Sequence, residues 1–175
     1  MAVVKSVLVI LIISLIGLVV FHKDIVSKIL VPQYIEWGYE IEEQGLKLGV
    51  PLDSEGLILA KDIGIKSPEK IRIVYVDEVP FPHDNFALKL LGEAVGFIGD
   101  NITNEAQAFG YSIYVRKDLD FDKPKLAHEI VHVLQIERSN FKDVTLQHLS
   151  DLAKYGYDKA PLEVEAFEAN KKYGG

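Results

Sequence analysis

The chain opens on an unbroken apolar run and then changes character. MAVVKSVLVILIISLIGLVVF carries a single charge, Lys5. The uncharged run from Ser6 to Phe21 is slightly short of the roughly 20 residues that cross a bilayer, and Lys5 can snorkel to lengthen it. This pattern predicts a transmembrane anchor helix with a juxtamembrane extension over 1–31 and a folded domain over 32–175. GLVVFHKD offers no small-residue cleavage site, so the anchor is expected to stay in place. No proline precedes Pro32, so the helix is expected to run on through HKDIVSKIL, with Tyr34 and Trp37 near the headgroups. Lys5 and the amino terminus on one side nearly balance Lys23 and Lys28 on the other. The short N-terminal tail then favours a single-pass membrane protein with its soluble domain on the extracytoplasmic side.

Past the anchor, the apolar periodicity alternates between helix and strand. EWGYEIEEQGLKLGVPLD predicts a short helix ended by Gly45 or Gly49, with Pro51 as a stop. DSEGLILAKDIGI predicts a helix capped by Asp53 or Ser54 and stopped at Gly64. IRIVYVDEV is β-branched and aromatic with near-alternating polarity, which predicts a strand. Phe86 to Asn104 is ambiguous, with glycines at 92, 96 and 99. AQAFGYSIYVRKD predicts a second strand region, kinked at Gly110. Asp120 or Asp122 then caps a helix that contains LAHEIVHVLQIER. FKDVTLQHLSDLAKYG and PLEVEAFEANKKYG follow as helices, the second with Pro161 in its first turn. Helices, then strands, then helices make the expected class α+β.

Composition narrows the chemistry. The 175 residues carry 49% apolar and 26% charged side chains, the profile of one domain with a real core. A net charge of −7 and the lack of a Lys/Arg cluster argue against nucleic acid as a partner. With no cysteine, disulfides and thiolate sites are excluded, so any metal must be held by His and carboxylate.

HEIVH is the candidate for such a site. His128 and His132 are four positions apart, so on a helix both imidazoles project from one face. Zinc at about 2.0–2.1 Å can then be reached by both. Glu129 sits beside the first histidine, where it can take a proton from water and later hand it to a leaving amine. Ile130, Val131, Val133 and Leu134 would bury this helix, and buried imidazoles and a carboxylate need a compensating partner. Gln135 falls on the same face as His132 and could orient it.

A catalytic zinc takes three protein ligands, so a third is needed downstream. The candidates are His148, Asp151, Asp158, Glu163, Glu165 and Glu168. On the PLEVEAFEAN helix, Glu163 shares a face with Ala166, Phe167 and Asn170, while Glu165 lies about 200° away at 100° per residue. Small Ala166 would let this helix approach the HEIVH helix closely.

HEIVH followed by PLEVEAFE on a later helix resembles the gluzincin clan of zinc metallopeptidases, in its small single-domain form. The similarity covers roughly 71–170, with its specific part in the two helices. It implies a zincin-like domain with a short sheet packed on the HExxH helix and C-terminal helices. By this resemblance Glu163 is the third zinc ligand, being the first glutamate of an E-x-E-A-D run, with Glu165 as runner-up. The chain departs from that run at Phe167, where those enzymes have an Asp that orients a histidine ligand. The resemblance also implies that the FGYSIYV strand lines the cleft and pairs with an extended peptide. Tyr155 or Tyr157 could stabilise an oxyanion.

The expected function is a membrane-anchored zinc metallopeptidase acting on peptide or protein substrates. His128, His132 and Glu163 would be the metal ligands and Glu129 the catalytic base. The alternative is a non-catalytic binding module in which the zinc site is structural or vestigial.

Overall fold

The computed structural model describes residues 26–95, 98 and 104–174. The chain divides into two units between Tyr34 and Ile35. In the first unit, Val26–Leu30 forms a single π-helical turn. The described residues hold six α-helices: α1 (Val31–Leu48), α2 (Ser54–Ile63), α3 (Phe86–Val95), α4 (Lys123–Arg138), α5 (Phe141–Tyr155) and α6 (Pro161–Tyr173). Four strands, β1 (Val50–Pro51), β2 (Arg72–Val76), β3 (Ala106–Phe109) and β4 (Ser112–Arg116), make one sheet in the order β1-β2-β4-β3.

Two expectations are corrected by this architecture. Most of the anchor expected over 1–31 falls on residues 1–25, outside the described ones. Among the described residues no helix is long and apolar enough to cross a membrane. Single-pass anchoring, and the extracytoplasmic location inferred from it, is therefore not supported. The physical reason lies in α1, where Glu36, Glu40, Glu42, Glu43 and Lys47 interrupt the apolar positions and make the helix amphipathic. Trp37, expected at the headgroups, instead packs edge-on against Phe109, with ring centroids 5.5 Å apart.

The expected α+β order is the second correction. β2 and β4 run parallel, Arg72 opposite Ser112 and Val76 opposite Arg116. Parallel neighbours need a crossover connection, and α3 lies within it, so the fold is mixed α/β. Gly92 obscured that helix. A Cβ there would lie 2.4 Å from the Phe81 ring, so this glycine serves a close contact and does not end the helix.

Elsewhere, local signals act as physical chemistry requires. The Asp53 carboxylate accepts from the Gly56 N–H at 2.8 Å to open α2, and Gly64 closes it at φ 110°. AQAFGYSIYVRKD is a hairpin of two strands, with Phe109 opposite Ser112 across Gly110–Tyr111. Gly110 adopts φ 57°, the left-handed conformation that a two-residue II′ turn asks of its first residue. β4 is enclosed between β2 and β3, and the edge on that side of the sheet is AQAF, not the SIYV part of the FGYSIYV expected to line a cleft.

The sheet is the middle layer. Ile73, Ile113 and Val115 on one face join Leu59 and Ala60 of α2 and Ile130, Val131, Val133 and Leu134 of α4 in the core. Ser112 and Tyr114 alternate to the other face. There the Ser112 hydroxyl donates to the Glu42 carbonyl and the Tyr114 hydroxyl to the Ile41 carbonyl, both at 2.8 Å. α1 runs so close that a Cβ at Gly45 would lie 2.6 Å from Ser112 Oγ. Glu137, at the end of α4, accepts from the backbone of Lys66 and Ser67 and from the Tyr111 hydroxyl. That one carboxylate fixes the end of the HEIVH helix against the hairpin and the turn before β2.

Candidate metal centre

α4 starts at Asp122, whose carboxylate accepts from the Lys125 N–H at 3.1 Å, with Pro124 in the first turn. Its middle turns are buried by Ala127, Ile130, Val131, Val133 and Leu134, and the same burial takes His128, Glu129 and Gln135 out of water. α6 packs closely against it, with Ala127, Ala166 and Ala169 in the shared core. These small residues let the helices approach, and Glu163 in the first turn of α6 reaches the histidines.

His128 and His132 bring their Nε2 atoms to 3.1 Å of each other. Glu163 Oε2 lies 3.4 Å from His128 Nε2, and Oε1 lies 3.6 Å from His132 Nε2. Among the described residues, these three side chains each offer one ligand atom within 4.8 Å of the others. Glu163 is 3% exposed and Glu129 7%, and one oxygen of each, Oε2, is buried without a hydrogen-bond partner. An orphaned buried carboxylate oxygen is costly unless a cation or donor meets it. The donor set therefore fits a metal ion of the kind bound by imidazole and carboxylate.

The outer nitrogens sharpen this. His128 Nδ1 lies 3.0 Å from Asn170 Oδ1, and His132 Nδ1 lies 2.9 Å from Gln135 Oε1. The Gln135 oxygen only accepts there, so His132 donates through Nδ1–H and turns its Nε2 lone pair inward, and His128 does the same when it donates to Asn170 Oδ1. Two lone pairs and a carboxylate then converge on one point, an arrangement that a shared cation stabilises.

Burial pushes the Glu129 carboxyl up to about 7, with the nearby Glu163 adding to the rise while His132 and the Ala108 N–H oppose it. Ala108 belongs to the edge strand, so β3 borders the base. Glu163 is itself held below the usual carboxylate range. Burial opposes its ionisation, but the imidazoles of His128, His132 and His148 outweigh that effect.

The other candidates separate clearly. Glu165 faces away from the histidines, accepting from Gln135 at 2.9 Å and from Arg138 at 2.5 Å. Asp158 and Glu168 are exposed. Asp151 lies outside the three-donor group, with a buried unpartnered oxygen of its own. His148 also lies outside that group, yet its Nε2 is 3.4 Å from Glu163 Oε1. Tyr155 is exposed, with the Lys154 ammonium 4.6 Å above its ring. Tyr157 is exposed as well, but it stacks near-perpendicular on Phe167 and brings its hydroxyl to Glu163. Desolvation, then the Glu163 carboxylate, raises that phenol's pKa.

Phe167 stands where the gluzincin run has Asp, and its ring packs 5.2 Å from that of His128. The acceptor for His128 comes instead from Asn170, one turn further along. Sequence reasoning placed Asn170 on the Glu163 face without giving it a role. Its spacing from Glu163, two helical turns on one face, is the signal that pointed there.

No protein-family model matches the chain, and no curated protein or solved structure matches it either. Function has to be argued from the site itself.

Proposed function

We propose that this chain is a zinc-dependent metallopeptidase. His128, His132 and Glu163 are its metal ligands and Glu129 its general base. The observation that carries the reading is the convergence, in one buried site, of two Nε2 atoms 3.1 Å apart with the Glu163 carboxylate; Glu129, next in the chain to His128, is buried and keeps an unpartnered oxygen. Three donors of this type leave one coordination position open, the pattern of catalytic rather than structural zinc. A purely structural site has no use for the adjacent buried carboxylate.

Zinc held there supplies Lewis acidity, which acidifies water and polarises a carbonyl. Glu129 accepts the proton of the attacking water on its carboxylate and returns it to the leaving amine nitrogen. The Tyr157 hydroxyl is near enough to the ligand carboxylate to donate toward a carbonyl oxygen as it gains charge. Arg116 N–H donates to the Glu105 carbonyl at 2.9 Å, so alternation turns the backbone groups of Ala106 and Ala108 to the outer edge of β3. An extended peptide substrate can add to that edge.

The test is cleavage of a peptide library by the full chain supplied with zinc, wild type beside Glu129→Gln, with zinc content measured on both. Cleavage that falls by about 10²–10⁴-fold in the variant while zinc is retained is the expected result. Zinc-loaded wild type that cuts nothing, or a variant that cuts equally well, removes the reading.

A further inference from the structure

Gln135 does two things at once. Its Nε2 donates to the Leu162 carbonyl and to Glu165 Oε2, both at 2.9 Å, while its Oε1 faces His132 Nδ1 at 2.9 Å. The amide cannot be turned over, because its carbonyl would then oppose two groups that only accept. Gln135 therefore dictates that His132 carries its proton on Nδ1. It also ties α4 to α6 on either side of Glu163, at the Leu162 carbonyl and the Glu165 side chain. Asn170 makes the reciprocal bridge, reaching from α6 to His128 Nδ1 at 3.0 Å.

We infer that Gln135 and Asn170 are paired positioning residues, neutral amides that set both histidines in the tautomer presenting Nε2 to a metal and hold α4 and α6 in register around it. The inference rests on the ligand assignment proposed above. It makes the two positions chemically unequal. At 170 only an acceptor is needed, so a carboxylate serves and, being a stronger acceptor, makes His128 a better ligand. At 135 a carboxylate fails, because it would face the Leu162 carbonyl and the Glu165 carboxylate with no hydrogen to give. Two near-isosteric amide-to-acid changes in one site are thus expected to act in opposite directions, an outcome that loss of packing does not produce.

The experiment uses the full chain with zinc alone, measuring affinity by chelator competition in wild type, Asn170→Asp and Gln135→Glu. Asn170→Asp is expected to tighten zinc by about 10-fold, and Gln135→Glu to weaken it by about 10–100-fold. Changes of the same sign, or none in either variant, overturn the inference. A second measurement on metal-free protein, the ¹⁵N tautomer pattern of the histidines at a pH where both rings are neutral, separates this inference from the peptidase reading. Nδ1–H on His132 is expected in wild type, since the Gln135 amide cannot turn over. Gln135→Leu should disturb His132 alone and Asn170→Leu should disturb His128 alone. If wild type takes up no zinc, the metallopeptidase reading falls. The tautomer lock then stands or falls on that spectrum, and Nε2–H on His132 in wild type overturns it.

Discussion

His148 places its Nε2 3.4 Å from Oε1 of Glu163, so that carboxylate is flanked by an imidazole from a third helix, α5. That contact occupies the oxygen that His132 also faces and leaves Oε2, the orphaned oxygen, toward His128. His148 thus orients Glu163 without joining the donors. Replacing it by Phe is expected to weaken zinc binding by about 10-fold, the usual scale for losing an outer partner, without abolishing it. Chelator competition on the two proteins measures this. An unchanged affinity would mean that Glu163 is held by its backbone and Tyr157 alone.

The buried Glu129 carboxyl has a stability consequence in metal-free protein. Its folded pKa of about 7 lies above the ordinary carboxyl value of 4.5. Its relative contribution is therefore greatest below 4.5, declines as pH rises through about 7, and is a constant penalty above that. Glu129→Gln removes the ionisation. The variant is expected to gain on the order of 2–3 kcal/mol over wild type at alkaline pH and little or nothing in acid. Urea midpoints of both proteins with chelator present, on either side of neutrality, check the sign.

Glu137 titrates in the opposite sense. Burial favours its proton, but the hydrogen bonds from Tyr111, Lys66 and Ser67 outweigh that and hold its pKa below 4.5. Its stabilisation is present above that value and lost as pH falls through the lower folded one. Glu137→Gln should therefore be less stable than wild type at neutral pH, with the gap narrowing in acid. A gap of constant size from neutral pH into acid would rule out the carboxylate charge as the source.

Gly110 tests the hairpin. An alanine Cβ at φ 57° would fall on the Glu42 carboxylate, which accepts from the Tyr111 N–H at 2.9 Å. Gly110→Ala is expected to cost about 1–3 kcal/mol of stability, measured as a lower urea midpoint. Because β3 borders Glu129, the proposed peptidase activity should fall in the same variant.

Much of the site was legible because it is local. The spacing of His128 and His132, the adjacency of Glu129 and the face shared by Glu163, Ala166, Phe167 and Asn170 follow from helical periodicity, which needs no tertiary information. The caps at Asp53 and Asp122 and the starts and stops at Pro161, Gly64 and Gly156 are equally short-range. Where the pattern misled, the competing cause was a long-range contact. Gly45 and Gly92 lie inside helices because Ser112 and Phe81 press on them. Glycine gives a close-approach site and a helix stop the same one-letter signature.

The sequence by itself determined the chemistry available: two imidazoles and a carboxylate on one buried helix face, no thiolate, and an amphipathic α6 carrying further acids. Only the tertiary structure decided which groups meet. It set β2 parallel to β4, made β3 the edge beside Glu129, and turned Glu163 rather than Glu165 toward the histidines. It also supplied His148, Asn170 and Tyr157 around them. Those choices depend on which elements pack together, and contacts between residues far apart in the chain are set by shape and burial that no short window of sequence contains.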